Sequence, residues 1–244
     1  MATNLVEARR ELALANRIVA NEGVIDAFGH VSMRHPDNPN RYFLSRSRAP
    51  ELVGPDDFIE YDLDSVPVRT PEHTQYSERV IHGEIYKARP EVNSVCHHHS
   101  PDFMPLLAVG ADYIPIFHLG AVGGIAPPYW DQHDEFGDTN MLVIKPEEGA
   151  SLARALGSNW MVLMKRHGVT VAGTSVKDCV FRSVFSSHNA AYQVRAMTIG
   201  SNVASLSPGE TALAGNISGT TTGLTRSWEY WSTRVAKAGG AVPV

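Results

Sequence analysis

The chain has 244 residues, 43% hydrophobic and 19% charged, enough to bury the core of one fairly large domain. Its net charge of −5 and its scattered basic residues argue against a nucleic-acid surface, and no apolar run approaches the roughly 18 residues of a membrane span. Cys96 and Cys179 offer neither a disulfide framework nor a zinc-finger spacing, and residues 1–10 are charged where a signal peptide is apolar, so a reducing, cytoplasmic setting is expected.

Leu5, Ala8, Leu12, Ala15 and Val19 recur at helical spacing, and Gly23 suits the stop of that helix. Residues 31–34 and 41–45 read as strands joined by the turn-rich segment 36–40, followed by a loop over 46–50 and a strand around 58–63. Residues 75–88 read as a helix stopping before Pro90, 92–99 as a strand and 100–109 as a short helix. A short strand over 114–117 and a Gly/Pro-rich loop over 120–128 come next. Residues 141–144, 160–164 and 169–172 read as strands, with 147–157 helical between the first two. A long helix covers 175–199, the polar stretch 201–223 reads as mobile, and 228–238 closes the chain as a helix. Short strands interleaved with helices predict an α/β layered domain with a mixed sheet over residues 1–244, in which about 201–244 form a mobile or interface element.

The chemistry centres on Cys96-His97-His98-His99-Ser100. Along a strand side chains alternate, so His97 and His99 share one face and His98 takes the other. Two imidazoles so placed can meet one metal ion, or can simply stand solvated at a polar strand end. Glu78 falls on the helix over 75–88 with His82 one turn later, and His167 ends an apolar strand before Gly168. Three imidazoles and a carboxylate form an N₃O donor set that suits Zn²⁺, Mn²⁺ or a similar divalent ion with positions left for substrate. Spacing alone leaves open whether these distant elements meet.

The string Ser77-Glu78, His82, Tyr86, Arg89-Pro90, Val95-Cys96-His97-His98-His99 and His167-Gly168 resembles the class II aldolase/adducin family. Gly29-His30-Val31-Ser32-Met33-Arg34 resembles that family's Gly-Asn-(Val/Ile)-Ser-x-Arg segment. The likeness runs from the opening helix to the long helix near residue 199. It implies a three-layer α/β/α sandwich, with His97, His99 and His167 as metal ligands and Glu78 as a catalytic carboxylate that can also bind the metal. It further implies one divalent ion per subunit (Mn²⁺ or Zn²⁺, with Fe²⁺ or Co²⁺ as alternatives) and a homotetramer with active sites at subunit interfaces. The family spans sugar-phosphate aldolases and epimerases, decarboxylases, an oxygenase-like branch and non-enzymatic adducins; the ligand set argues against an adducin-like role.

The sequence departs from the sugar-phosphate members where they hold phosphate. His30 stands for their Asn, Ser45-Arg46-Ser47-Arg48 for a loop with a Thr-Gly pair, and Tyr76-Ser77 for a serine pair. Arg46 and Arg48 would fill a phosphate cup with side chain and offer fork-shaped donors suited to carboxylates, unless they are solvated loop residues. Leu119 stands where the aldolases carry an acidic tyrosine, which leaves His118 as the neighbouring candidate. The loop 45–50 resembles the branch that decarboxylates 3-hydroxy-2-methylpyridine-4,5-dicarboxylate and dihydroxyphthalate. Retro-aldol cleavage and decarboxylation both leave an enolate that a Lewis-acid metal stabilises. The expectation is therefore a metal-dependent decarboxylase of a hydroxylated aromatic dicarboxylate, benzene or pyridine. In it Arg46, Ser47 and Arg48 bind substrate and Glu78, His30, His98 or His118 moves the proton. The alternatives are an aldolase or epimerase of an unphosphorylated or unusual sugar-like substrate, an iron-dependent oxygenase, and an adducin-like interaction protein. His82 is expected to orient Glu78 or pack on its helix, and Trp228, Tyr230 and Trp231 to cover a pocket or fill the core.

Overall fold

A computed structural model describes residues 5–200, 202–218 and 220–240 of the chain. The apolar stripe of the first segment forms α1 (Leu5–Asn21), burying Leu12, Ala15, Ile18 and Val19, and Gly23 at φ +73° ends it in the left-handed region. Then follow β1 (Gly29–Arg34), β2 (Arg41–Ser45), β3 (Phe58–Asp62), α2 (Arg79–Ala88), β4 (Ser94–His98) and α3 (Met104–Val109). The second half holds β5 (Tyr129–Trp130), α4 (Gln132–Phe136), α5 (Pro146–Leu156), β6 (Met161–Met164), β7 (Gly168–Gly173), α6 (Val176–Ile199), α7 (Pro208–Ser218) and α8 (Thr221–Lys237). The strands form one sheet in the order β3-β2-β1-β4-β7-β6-β5, antiparallel throughout except for the parallel pair β5–β6.

Helices cover both faces, the α/β/α layering expected. One apolar core joins α1, α6 and α8 to the sheet; the other joins α2 and α5 to the opposite face. Strand alternation divides β4 between them: Cys96 belongs to the α1/α6 core and Val95 to the α2/α5 core. His97 thus faces the α2 layer, while His98 faces the other side and packs against Phe103, ring centroids 5.9 Å apart. Both cysteines are buried free thiols, and burial pushes that of Cys96 up to about 12. Among the described residues no helix is long and apolar enough to cross a membrane.

Several elements differ from expectation for identifiable reasons. Helix α2 starts at Arg79, not near 75, because the preceding residues run extended beside the arginine loop: Arg46 pairs with Gln75, and the Ser47 N–H bonds the Thr74 carbonyl at 2.7 Å. Residues 114–117 form no strand. Their peptide groups are met by side-chain amides of α6, with the Ile114 N–H on Gln193 Oε1 (2.9 Å), the Ile116 N–H on Asn189 Oδ1 (3.0 Å) and Asn189 Nδ2 on the Ile114 carbonyl (2.8 Å). Residues 141–144 form no strand either, since the Val143 and Ile144 N–H groups bond the carboxylates of Glu78 and Glu148. The stretch expected to be mobile contains α7 and the start of α8, the latter capped by Thr220 (Ser201 and Gly219 lie outside the described residues). Trp231 is buried in the core beside Phe181 and Phe185, whereas Tyr230 is exposed.

Candidate metal centre

Three structural devices bring four side chains together at the end of β4. His97 comes from the strand itself and His99 from just beyond it. His167 comes from the turn between β6 and β7, where its N–H bonds the Met164 carbonyl at 3.0 Å and Arg166 takes a positive φ of 59°. That turn is tied down by Lys165 and Arg166, both on Asp131. Gly168 is required there: a Cβ would lie 2.8 Å from the His99 ring and closer still to the His98 carbonyl. Glu78 sits at the N-cap of α2 but caps nothing; its Oε1 accepts from the Val143 N–H at 3.0 Å. It is therefore not on the body of the helix with His82.

The candidate ligand atoms of Glu78, His97, His99 and His167 lie within 4.8 Å of one another. His97 Nε2 is 3.2 Å from His99 Nε2 and 3.7 Å from Glu78 Oε2, and His167 Nε2 is 3.5 Å from Glu78 Oε1. Donors about 2.1 Å from a tetrahedral ion are about 3.4 Å apart, so these separations fit a divalent cation of zinc size. Hydrogen bonding agrees. Thr170 Oγ1 lies 3.1 Å from His97 Nδ1 and donates to Met164 Sδ at 3.3 Å, so it can accept the Nδ1 hydrogen and leave the Nε2 lone pair facing the other ligands. Burial, with the neighbouring imidazoles adding to it, holds His97 well below the ordinary histidine range and His167 down to about 4. Burial lowers His99 as well, and all three shifts favour the neutral imidazole that ligation needs. Burial pushes Glu78 up to about 7, partly offset by the Val143 N–H.

The other candidates are distributed around this cluster. His30, in register with His97 on β1, has its ring 5.5 Å from that of His97 and 4.5 Å from that of Tyr76. His82 does not orient Glu78. It turns toward the sheet and pairs with His30, Nε2 to Nδ1, at 2.7 Å. His98 is buried on the far face, its Nδ1 accepting from the Ser100 N–H at 3.3 Å. His118 is exposed at the start of a 3-10 helix and meets Phe117; among the described residues it makes no contact with the centre. Arg46 and Arg48 are not simply solvated. Arg46 Nε donates to Asp57 Oδ1 at 2.6 Å and Arg48 Nη1 to Asp57 Oδ2 at 2.9 Å, while Ser47 is exposed. The loop is linked to the centre through Tyr76, whose hydroxyl donates to the Arg48 carbonyl while its ring packs on His30. Asp57, Val143 and Thr170 were not singled out by sequence reasoning, and Tyr76 only as a departure from a serine pair; each acts through a tertiary contact with no periodic signature.

The Class II Aldolase and Adducin N-terminal domain family matches residues 10–194. Decarboxylase tropJ of Talaromyces stipitatus is 31% identical, over 91% of this chain and 91% of that protein. A 3,4-dihydroxyphthalate decarboxylase of Arthrobacter keyseri is 32% identical over 72% of this chain and 73% of its own. The crystal structure of an aldolase II superfamily protein from Pseudomonas syringae shares the fold with a TM-score of 0.81 at 21% identity, covering 98% of this chain and 96% of that one. With a family match over most of its length and decarboxylases among its relatives, the chain belongs to the class II aldolase/adducin family, in its decarboxylase branch.

Proposed function

We propose that the protein is a metal-dependent decarboxylase of a hydroxylated aromatic ring, benzene or pyridine, bearing two neighbouring carboxylates. The observation that carries this reading is the pair of guanidiniums on the Arg46–Arg48 loop, connected to the His/Glu cluster through Tyr76 and His30. A divalent ion such as Mn²⁺ or Zn²⁺ would be held by His97, His99, His167 and Glu78 and would supply Lewis acidity to a substrate oxygen.

The remaining work falls to the chain's own side chains. Asp57 uses only Nε of Arg46 and Nη1 of Arg48, so their other N–H groups are available to a retained carboxylate in a charge-assisted, directional contact. Decarboxylation consumes one proton, which replaces CO₂ on the ring carbon. Two groups are placed to handle it: His30, whose ring lies 5.5 Å from that of His97, and the Glu78 carboxylate, whose Oε1 is held by the Val143 N–H. His118 would join them only from a neighbouring subunit. A homotetramer is part of this reading, and the exposed apolar side chains of Val109 (75%) and Ile199 (90%) are suited to burial between subunits.

The test is product analysis. Incubated with Mn²⁺ or Zn²⁺ and a hydroxylated aromatic dicarboxylate, the protein is expected to release CO₂ and leave a monocarboxylate. Cleavage of a sugar-like substrate with no CO₂ release from any such dicarboxylate would overturn the reading in favour of an aldolase.

A further inference from the structure

A buried run of side chains leads from the metal centre into the α2 layer. His30 Nδ1 lies 2.7 Å from His82 Nε2, His82 Nδ1 lies 2.6 Å from Ser32 Oγ, and Ser32 Oγ lies 2.7 Å from the Tyr86 hydroxyl. All four side chains are 2% exposed or less. Local periodicity builds the run, since His30 and Ser32 share one face of β1 while His82 and Tyr86, four residues apart, share one face of α2.

The two rings cannot choose their tautomers independently. If His82 Nε2 donates, His30 Nδ1 is the acceptor and the His30 hydrogen sits on Nε2. If His30 Nδ1 donates, His30 Nε2 is a bare lone pair and the His82 hydrogen sits on Nδ1. Ser32 completes either arrangement. It can donate to His82 Nδ1 and accept from Tyr86, or accept from His82 Nδ1 and donate to Tyr86 or, at 3.5 Å, to the Val95 carbonyl. Every member of the run stays bonded both ways, so neither arrangement strands a buried polar group. A mixed state would break the bond between the rings.

We propose that His82, backed by Ser32 and Tyr86, is a positioning residue that fixes the orientation and tautomer of His30, and so decides whether its Nε2 presents a hydrogen or a lone pair at the metal centre. This rests on the reading of His30 as a residue that moves the substrate's proton, and deepens it. Among the described residues His82 bonds Ser32 and His30 and no member of the cluster.

The experiment is two-bond ¹H–¹⁵N spectroscopy of the Zn²⁺-loaded, histidine-labelled protein, run beside steady-state kinetics. In the wild type His30 and His82 are expected in the same tautomer. His82→Leu should leave His30 in a mixture of tautomers and lower kcat by about tenfold to a hundredfold, with zinc stoichiometry unchanged. The same variant should leave KM within a factor of about two. His82→Gln, which restores a hydrogen-bonding group beside His30, should recover most of kcat. Should His82→Leu fail to fold, Ser32→Ala leaves both rings in place and is expected to change the tautomer populations of both together. Opposite tautomers in the wild type, or unchanged His30 signals and kcat in His82→Leu or Ser32→Ala while His30→Ala is inactive, would overturn the inference. A fully active His30→Ala protein would instead overturn the proton-moving role of His30, with the pairing of tautomers still legible in the spectra.

Discussion

The metal centre and the arginine loop are neighbours built on opposite plans. At the centre each side chain is delivered by backbone that hydrogen bonding already fixes: a strand end, a tied hairpin turn, a helix N-cap. Its candidate ligands are short, and two of them, His97 and Glu78, are oriented by Thr170 and by the Val143 N–H. The loop delivers its charges on long stems, and their aim is set by one carboxylate, Asp57, gripping one edge of each guanidinium. On the proposed function, reaction chemistry is tied to the sheet, where a small displacement is hard, and choice of anion to a loop outside it.

The largest effects are expected at the centre. His99→Ala should lower metal affinity by more than about a hundredfold and abolish activity with it, read by elemental analysis beside CO₂ release; unchanged metal content would take His99 out of the donor set. Glu78→Gln keeps the three imidazoles but removes a charge and a proton site, so kcat should drop by about 10²–10⁴. A change in KM alone would give Glu78 a binding role only.

At the loop the effects should be smaller and specific. Arg48→Gly is expected to raise KM for a dicarboxylate by about tenfold, the value of one charge-assisted hydrogen bond, and to spare a monocarboxylate analogue. Equal effects on both would remove the clamp. The mildest change is Asp57→Asn, expected to cost about 1 kcal/mol, or about 3 °C in melting temperature. Burial pushes the Asp57 carboxyl up, but the Gly54 N–H, Arg46 and Arg48 together outweigh it and leave it below the usual carboxylate range. Its stabilisation is therefore present above that range and is lost as pH falls through the depressed value. Melting curves of wild type and Asp57→Asn should differ at neutral pH and converge in acid.

How much could be read in advance follows the same division. The placement of His97 beside His99, with His98 on the opposite side, was legible because strand alternation is a backbone rule that needs no partner. His167-Gly168 was legible too, and the structure supplies the reason, since any Cβ at 168 would strike the β4 histidines. The start of α2 was not legible: Gln75 and Tyr76 suit a helix locally, and only pairing with the arginine loop draws them out of it. Nor was the Asp57 clasp, a choice of partner made by side chains 9 and 11 residues away with no repeat to betray it. Segment 114–117 carries strand-like residues, but its hydrogen-bond partners are the amides of Asn189 and Gln193. Helix α7 did leave a signal. Ser207 and Glu210 bond each other's backbone N–H in a capping box, with Pro208 at the first helical position, a pattern the Gly/Thr-rich composition obscured.

On the proposed function, one ion held by His97, His99, His167 and Glu78 is needed to remove CO₂ from an aromatic dicarboxylate. That requirement is tested most directly by titrating chelator-stripped protein with Mn²⁺ or Zn²⁺ while following CO₂ release. The account predicts no turnover in the stripped protein and a linear rise that breaks at one ion per chain. Full turnover by protein shown to be metal-free would contradict it.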